Sequence, residues 1–194
     1  MITYQQVGKA KLSQYDTIPM LLHVTSEYRI DKVHRGLGGF TLVEAPVEPY
    51  TKDFDDGYPH HAFTAHVVRR FDTTNWGFFM AFDGTRAVGG AMVAARTKEV
   101  NMLQGRADLA VLWDIRVDDT YKRQGVGQSL FDTAAAWARS EGIVQMKIEC
   151  QNNNVPAVKF YHKQGAVLSA INEYAYDDEP QYRHEVQLIW MLDL

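Results

Sequence analysis

The chain has 194 residues, 46% of them hydrophobic and 23% charged, which indicates one globular domain spanning residues 1–194. The formal net charge of −4 argues against nucleic acid as a partner, because nucleic-acid-binding proteins favour a basic face. Cys150 is the single cysteine, and no apolar run approaches the ~18–20 residues of a membrane span, so we expect a cytoplasmic protein with no membrane partner.

The first sixty residues predict strands followed by a polar loop. The stretches MLLHVTSEYRI and GGFTLVEAPV place β-branched and aromatic residues between glycines and charges, which favours two strands. The segment EPYTKDFDDGYPHH, residues 48–61, contains prolines, a glycine and several acids, and therefore predicts a loop.

The middle of the chain predicts a hairpin, a strand and a helix. WGFFMAF and AVGGAMVAA flank the turn DGTR, whose Asp-Gly pair favours a tight hairpin. LAVLWDIRV, residues 109–117, is a predicted strand. The helix predicted after Gly125 would bury one face and end near Gly142. Its buried positions would be Val126, Leu130, Ala134 and Ala138.

The last fifty residues predict a strand, a short helix and two further strands. VQMKIEC predicts a strand, and Asn154 is placed to cap a short helix that carries Pro156 in its first turn and stops at Gly165. AVLSAINEYAY and EVQLIWML predict two closing strands. The fold class is therefore α/β of the α+β kind, with a mixed central sheet flanked by helices.

The segment KRQGVG lies where the predicted strand meets the predicted helix. Unpaired N–H groups at a helix start, with Gly125 and Gly127 allowing close approach and Lys122 and Arg123 adding charge, can hold a phosphate. A tight turn without ligand is the alternative. A P-loop would need Gly-Lys followed by Ser or Thr, and a dinucleotide fingerprint would need glycine where Leu130 stands, so both are disfavoured.

Residues 112–165 resemble the acetyl-CoA-binding core of the GNAT acetyltransferase superfamily. The phosphate loop of that superfamily reads Q/R-x-x-G-x-G/A and is followed by an Asn, an Ala and a Phe-Tyr pair, which here become KRQGVG and NNNVPAVKFYHKQG. Lys122 departs from the pattern at the first loop position. The resemblance implies a V-shaped split between the two central parallel strands, a cofactor core at 109–165 and C-terminal strands at 166–194.

A narrower likeness joins the chain to streptothricin acetyltransferases. Their E-D-I-x-V, L-E-T-Q-x-N-N and P-Y-x-K stretches are similar to WDIRV, IECQNNN and EPYTKDFDD, whereas residues 63–75 match poorly. The likeness implies acetyl transfer from acetyl-CoA, as cosubstrate, to the β-lysine amine of streptothricin. Residues 1–60 would then lie on the substrate side.

The resemblance also implies roles for individual residues. Tyr161 would protonate the departing thiolate, and Asp114, with Glu149 as the second choice, would hold or deprotonate the amine. Ile115 and Val117 would pair their backbone with the pantetheine arm. The other implied cofactor contacts are Lys122, Arg123, Gln124, Gly125, Val126, Gly127, Gln128, Asn154, Ala157 and Phe160. The further acids expected to attract a cationic substrate are Glu44, Glu48, Asp53 and Asp55.

Other interpretations remain open on the sequence. The seven histidines, His60 and His61 among them, lack metal-ligand spacing, so we expect no metal. The acceptor could be a polyamine, a lysine-like metabolite or a protein lysine instead of streptothricin. A non-catalytic acyl-CoA-binding module and a nicotinamide enzyme are further alternatives, and a homodimer is compatible with the sequence.

Overall fold

The computed structural model describes residues 1–56, 58 and 62–194, which form two compact units. Unit 1 comprises Met1–Leu21, Asp53–Ile148 and Asp193–Leu194, and unit 2 comprises Leu22–Lys52 and Glu149–Leu192. The expectation that His60 and His61 bind no metal concerns residues outside the described set.

Nine strands and four α-helices are found in the described residues. The strands are β1 (Ile2–Gln6), β2 (Leu21–Lys32), β3 (Phe40–Asp53), β4 (Gly77–Asp83), β5 (Arg86–Ala95), β6 (Leu109–Val117), β7 (Gln145–Gln151), β8 (Val167–Asn172) and β9 (Gln187–Asp193). The helices are α1 (Leu12–Tyr15), α2 (Phe63–Arg70), α3 (Val126–Ser140) and α4 (Val155–Lys163). In these same residues, none of the helices is both long enough and apolar enough to span a membrane.

The sheet of unit 1 has the strand order β1-β4-β5-β6-β7. The first three neighbouring pairs are antiparallel, and β6 and β7 are parallel, joined through the crossover helix α3. The parallel ladder covers Leu109–Leu112 and Gln145–Ile148, while β6 continues to Val117. This mixed sheet with a short central parallel ladder confirms the predicted fold class and agrees with the predicted split.

Two consecutive glycines in β5 set the packing on the two faces of this sheet. A Cβ at Gly89 would lie 2.9 Å from Cδ1 of Leu130 on α3, and a Cβ at Gly90 would lie 2.7 Å from Cδ2 of Tyr15. Because successive strand residues point to opposite faces, the pair admits the helix on one face and the Tyr15 ring on the other. The predicted face of α3 is buried as expected.

Unit 2 contains the two-stranded sheet of β2 and β3, the end of β7, strands β9 and β8, and helix α4. The predicted loop at 48–61 is wrong for its first six residues, because β3 continues to Asp53. The predicted strand over 166–176 stops at Asn172, whose Oδ1 accepts a 3.0 Å hydrogen bond from the Tyr174 N–H and starts a turn.

Gly90→Ala is expected to lower the free energy of unfolding by about 1–3 kcal/mol, because the added methyl group would press on the fully buried Tyr15 ring. Gly8→Ala is the matched control, since a Cβ at Gly8 meets nothing within 4 Å and its φ is −87°. Urea denaturation measures both variants. Equal stability of the two would contradict the packing role of Gly90.

Candidate active site

The connection from β6 to α3 has the features of an anion-binding loop. Arg123 and Gly125 have φ values of 61° and 86°, and Lys122, Arg123, Gln124 and Gly125 are exposed. Gly125 is the N-cap of the 15-residue helix α3 and contributes no side-chain hydrogen bond to its first turn. A Cβ at Gly125 would meet nothing within 4 Å. The loop can therefore present backbone N–H groups and the positive end of the helix dipole to a diphosphate.

Side chains within this loop fix its shape. Asp118 accepts a 3.0 Å hydrogen bond from the Thr120 N–H, and the Gln124 side chain donates a 2.7 Å hydrogen bond to the Thr120 carbonyl. The Lys122 ammonium lies 2.5 Å from Asp119 and also donates to the Leu21 carbonyl at 3.0 Å. Lys122 therefore braces the loop in addition to carrying charge.

Asp114 lies in a buried charge cluster built around Arg116. The Arg116 guanidinium donates to both Asp114 carboxylate oxygens, at 2.8 and 3.2 Å, and to Asp55 at 2.9 Å. It donates to the Ile18 carbonyl at 3.1 Å. The Tyr15 hydroxyl donates a short hydrogen bond to Asp114. Two of the predicted substrate acids, Asp55 and Asp114, are thus brought together by an arginine that the sequence reasoning missed.

Burial controls the ionisation of this cluster. It would by itself lower the pKa of Arg116, but the carboxylates of Asp114 and Asp55 raise that pKa overall. The rings of Tyr15 and Phe63 lie 5.2 and 4.8 Å from the guanidinium carbon. Burial also raises the pKa of Tyr15 well above its usual value, so the phenol stays protonated. Two carboxylates against one guanidinium leave one excess negative charge.

Asp55 is the part of the cluster nearest to solvent. Its side chain is 26% exposed, against 4% for Asp114 and 1% for Arg116. Burial raises the pKa of the Asp55 carboxyl, and Arg116 opposes that rise. The excess charge can therefore act on a cation at the exposed side of Asp55.

Three of the other four predicted substrate acids, all from the acid-rich segment, lie outside the cluster. In unit 2, Glu44 forms a 2.7 Å ion pair with Lys159 and accepts a hydrogen bond from Ser26, and both interactions lower the pKa of its carboxyl. Glu48 is exposed on β3. In unit 1, Asp53 is exposed and accepts a 2.9 Å hydrogen bond from the Asp55 N–H. The acid-rich segment is thus divided among different environments.

Glu149 on β7 is bound by a tyrosine from the connection between β8 and β9. The Tyr176 hydroxyl donates to Glu149 Oε1 at 2.9 Å and accepts from Gln151 Nε2 at 3.1 Å. Glu149 and Gln151 are two residues apart on one strand and therefore share a face. Burial raises the pKa of Tyr176, and the neighbouring Glu149 adds to the rise. The phenol is therefore a neutral donor to the carboxylate.

Helix α4 carries the remaining predicted residues. Asn154 is confirmed as its N-cap, with Oδ1 accepting from the Ala157 N–H at 3.2 Å, and Gly165, with φ of 88°, follows its end as predicted. Tyr161 is 6% exposed, and its ring lies 5.6 Å from that of Phe160. The short helix therefore holds the predicted acid in a largely buried position.

The P-Y-x-K stretch supplies a second buried ion pair that sequence reasoning missed. Lys52 Nζ lies 2.5 Å from Glu185, with side-chain exposures of 9% and 2%, and 4.4 Å from the centroid of the Tyr182 ring. Asn153 donates to both Glu185 and the Tyr50 hydroxyl, at 3.0 and 2.9 Å. The P-Y-x-K motif contains Tyr50 and Lys52, but nothing in it indicates that Glu185 is their partner.

Arg116→Met is expected to lower the free energy of unfolding by about 3–5 kcal/mol, because it leaves buried Asp114 and its neighbour Asp55 without their cation. Arg29→Met is the matched control, since the Arg29–Asp31 pair has the same spacing and is exposed, and its loss should leave the denaturation midpoint nearly unchanged. Urea denaturation compares the two variants. Similar midpoints would contradict the central role of Arg116.

Comparison with known proteins connects this geometry to a family. The acetyltransferase (GNAT) family profile matches residues 41–166. Streptothricin acetyltransferase of Escherichia coli is 31% identical over 160 residues, covering 81% of this chain and 79% of that protein. The fold matches the crystal structure of nourseothricin acetyltransferase with a TM-score of 0.74 at 22% identity, over 99% of this chain and 98% of that chain.

A second solved structure shares the fold. A Bacillus anthracis str. Ames protein assigned as a streptothricin acetyltransferase, solved in complex with acetyl coenzyme A, has a TM-score of 0.74 at 23% identity over the full length of both chains. Because the family profile covers more than half of the chain and the E. coli relative most of it, the chain belongs to the GNAT acetyltransferase family and is an N-acetyltransferase.

Proposed function

We propose that the enzyme acetylates a primary amine of a cationic small molecule and that the β-lysine amine of streptothricin is its preferred acceptor. The observation that carries this proposal is the excess negative charge of the cluster formed by Asp114, Arg116 and the partly exposed Asp55. Such a charge attracts a cationic acceptor. The 31% identity to a streptothricin acetyltransferase supports this class of substrate.

The residues around the loop at 118–125 fit a coenzyme A diphosphate. We assign the diphosphate contacts to the backbone of Arg123–Gln128, together with the charges of Lys122 and Arg123. The ladder between β6 and β7 ends at Leu112, so the backbone of Ile115 and Val117 is assigned to the pantetheine arm. Bound acetyl-CoA would supply the reactive thioester.

We assign proton acceptance from the amine to Glu149 and not to Asp114. The Asp114 carboxylate already receives hydrogen bonds from Tyr15 and Arg116, and its side chain is only 4% exposed. Glu149 receives a hydrogen bond from the neutral phenol of Tyr176. Asp114 is instead assigned to holding Arg116 and, through it, Asp55.

Tyr161 is assigned as the proton donor to the departing sulfur. A new N–C bond forms as the C–S bond breaks, the amine proton passes to Glu149, and the thiolate takes the phenolic proton. A thiol with a pKa of ~8.5 leaves more readily when a nearby O–H group can protonate it. The position of Tyr161 on α4, seven residues after the N-cap, matches the Phe-Tyr element of the family motif.

Thiol release from acetyl-CoA should be fastest with streptothricin when it is compared with lysine, polyamines and aminoglycosides under one set of conditions. All of these acceptors are cationic and are attracted to the excess carboxylate at Asp55, so the preference for streptothricin is expected from the 31% identity to a streptothricin acetyltransferase. kcat/KM for each amine is the measurement, with a no-amine reaction as the control. A higher value for another amine would overturn the proposed acceptor and leave the acetyltransferase activity intact.

Tyr161→Phe should lower kcat by about 100-fold or more, because it keeps the ring and deletes the proton that the leaving sulfur takes. Affinity for acetyl-CoA and the thermal unfolding midpoint should stay close to the parent values. Stopped-flow or steady-state thiol release measures kcat, and calorimetry measures binding. A parental kcat in this variant would remove Tyr161 from the reaction.

A further inference from the structure

We propose that Tyr176 is a positioning residue whose hydrogen bond orients the Glu149 carboxylate for proton acceptance. The inference rests on the proposed function, which assigns that proton to Glu149. It adds a role for the connection between β8 and β9, residues 173–186, to which no catalytic role was assigned from the sequence.

The direction of the hydrogen bonds is fixed by what each group can donate. The Gln151 amide N–H donates to the Tyr176 oxygen at 3.1 Å, so the phenolic proton is left to point at Glu149 Oε1, 2.9 Å away. Because Glu149 and Gln151 lie on the same face of β7, the strand itself sets the spacing of the two contacts. The three groups form a chain in which one neutral O–H stabilises one carboxylate.

The connection is held at its far end by the Lys52–Glu185 ion pair. Glu185 also accepts from Asn153 at 3.0 Å, and the Val186 N–H donates to Asn152 Oδ1 at 2.8 Å. Between these contacts and Tyr176, the chain makes successive backbone turns, from the Glu179 N–H to the Tyr176 carbonyl at 3.0 Å and from the Tyr182 N–H to the Glu179 carbonyl at 2.8 Å. The ion pair and the turns fix the position of the tyrosine in unit 2.

The ionisable groups around Glu149 in unit 2 do not compete for its proton. Cys150 is buried beside it, and burial raises the pKa of this thiol to about 12. Tyr176 remains protonated because burial and Glu149 both raise its pKa. Glu185, which also acts on Tyr176, is neutralised by Lys52 at 2.5 Å. Loss of the Tyr176 hydrogen bond should therefore change proton acceptance by Glu149 and not the ionisation of these neighbours.

The test is the pH profile of kcat/KM for Tyr176→Phe, measured with streptothricin and acetyl-CoA. A hydrogen bond donated to a carboxylate favours its charged form, so removing it should move the acid limb to higher pH and lower kcat/KM at mildly acidic pH. Tyr174→Phe is the matched control, because Tyr174 lies on the same connection with 73% exposure and should leave the limb unmoved. Gln151→Leu removes the hydrogen bond that directs the Tyr176 O–H towards Glu149. It should also move the acid limb to higher pH, but by less than Tyr176→Phe does.

Glu149→Gln separates this inference from the function on which it rests. If Glu149 accepts the proton, Glu149→Gln abolishes the acid limb, and adding Tyr176→Phe to it changes kcat no further. A parental kcat and profile in Glu149→Gln would overturn the assignment of the base, and the role of Tyr176 would fall with it. A different result would overturn the role of Tyr176 alone. In that case the acid limb of the pH profile is lost in Glu149→Gln, but it stays at the parental pH in folded Tyr176→Phe and Gln151→Leu.

Discussion

The buried guanidinium of Arg116, whose side chain is 1% exposed, is the constraint on which unit 1 depends most strongly. A buried cation is tolerated only when its N–H groups are paired, and Arg116 finds its partners on separate segments of the chain. Asp114 is on β6, Ile18 follows α1 and Asp55 follows β3. The same charge that requires compensation therefore draws the N-terminal segment and the acidic segment towards the central strand.

The two carboxylates considered for catalysis are kept in chemically different states by their neighbours. Asp114 is saturated by a cation and a phenol, so its contribution is to place charge and to fix Arg116. Glu149 receives a hydrogen bond from the neutral phenol of Tyr176, which is why we assign proton acceptance to it. Both acids lie in strands of similar composition, so the sequence does not separate their roles. Their different neighbours in the folded chain do.

Local signals accounted for most of the correct predictions. β6 and the buried face of α3 follow from residue periodicity, and the ends of α4 follow from Asn154 and Gly165, because caps and periodicity act within a few residues. Helices α1 and α2 were not predicted, since four and eight residues are too few for a clear helical period. Lys52 and Glu185 are 133 residues apart, so neither motif nor pattern could pair them. One sequence feature did point to Arg116: it follows Asp114 by two positions on a predicted strand, so the two side chains lie on the same face.

The environment of Cys150 has a practical consequence. Disulfide reagents that generate colour react with thiolates, and the only sulfhydryl of this chain is buried and held protonated. The folded enzyme therefore does not react with such a reagent, and the absorbance that develops during turnover measures only the coenzyme A that is released. One additional equivalent per chain becomes visible when the native packing is lost, so the same chromophore that follows catalysis also reports denaturation.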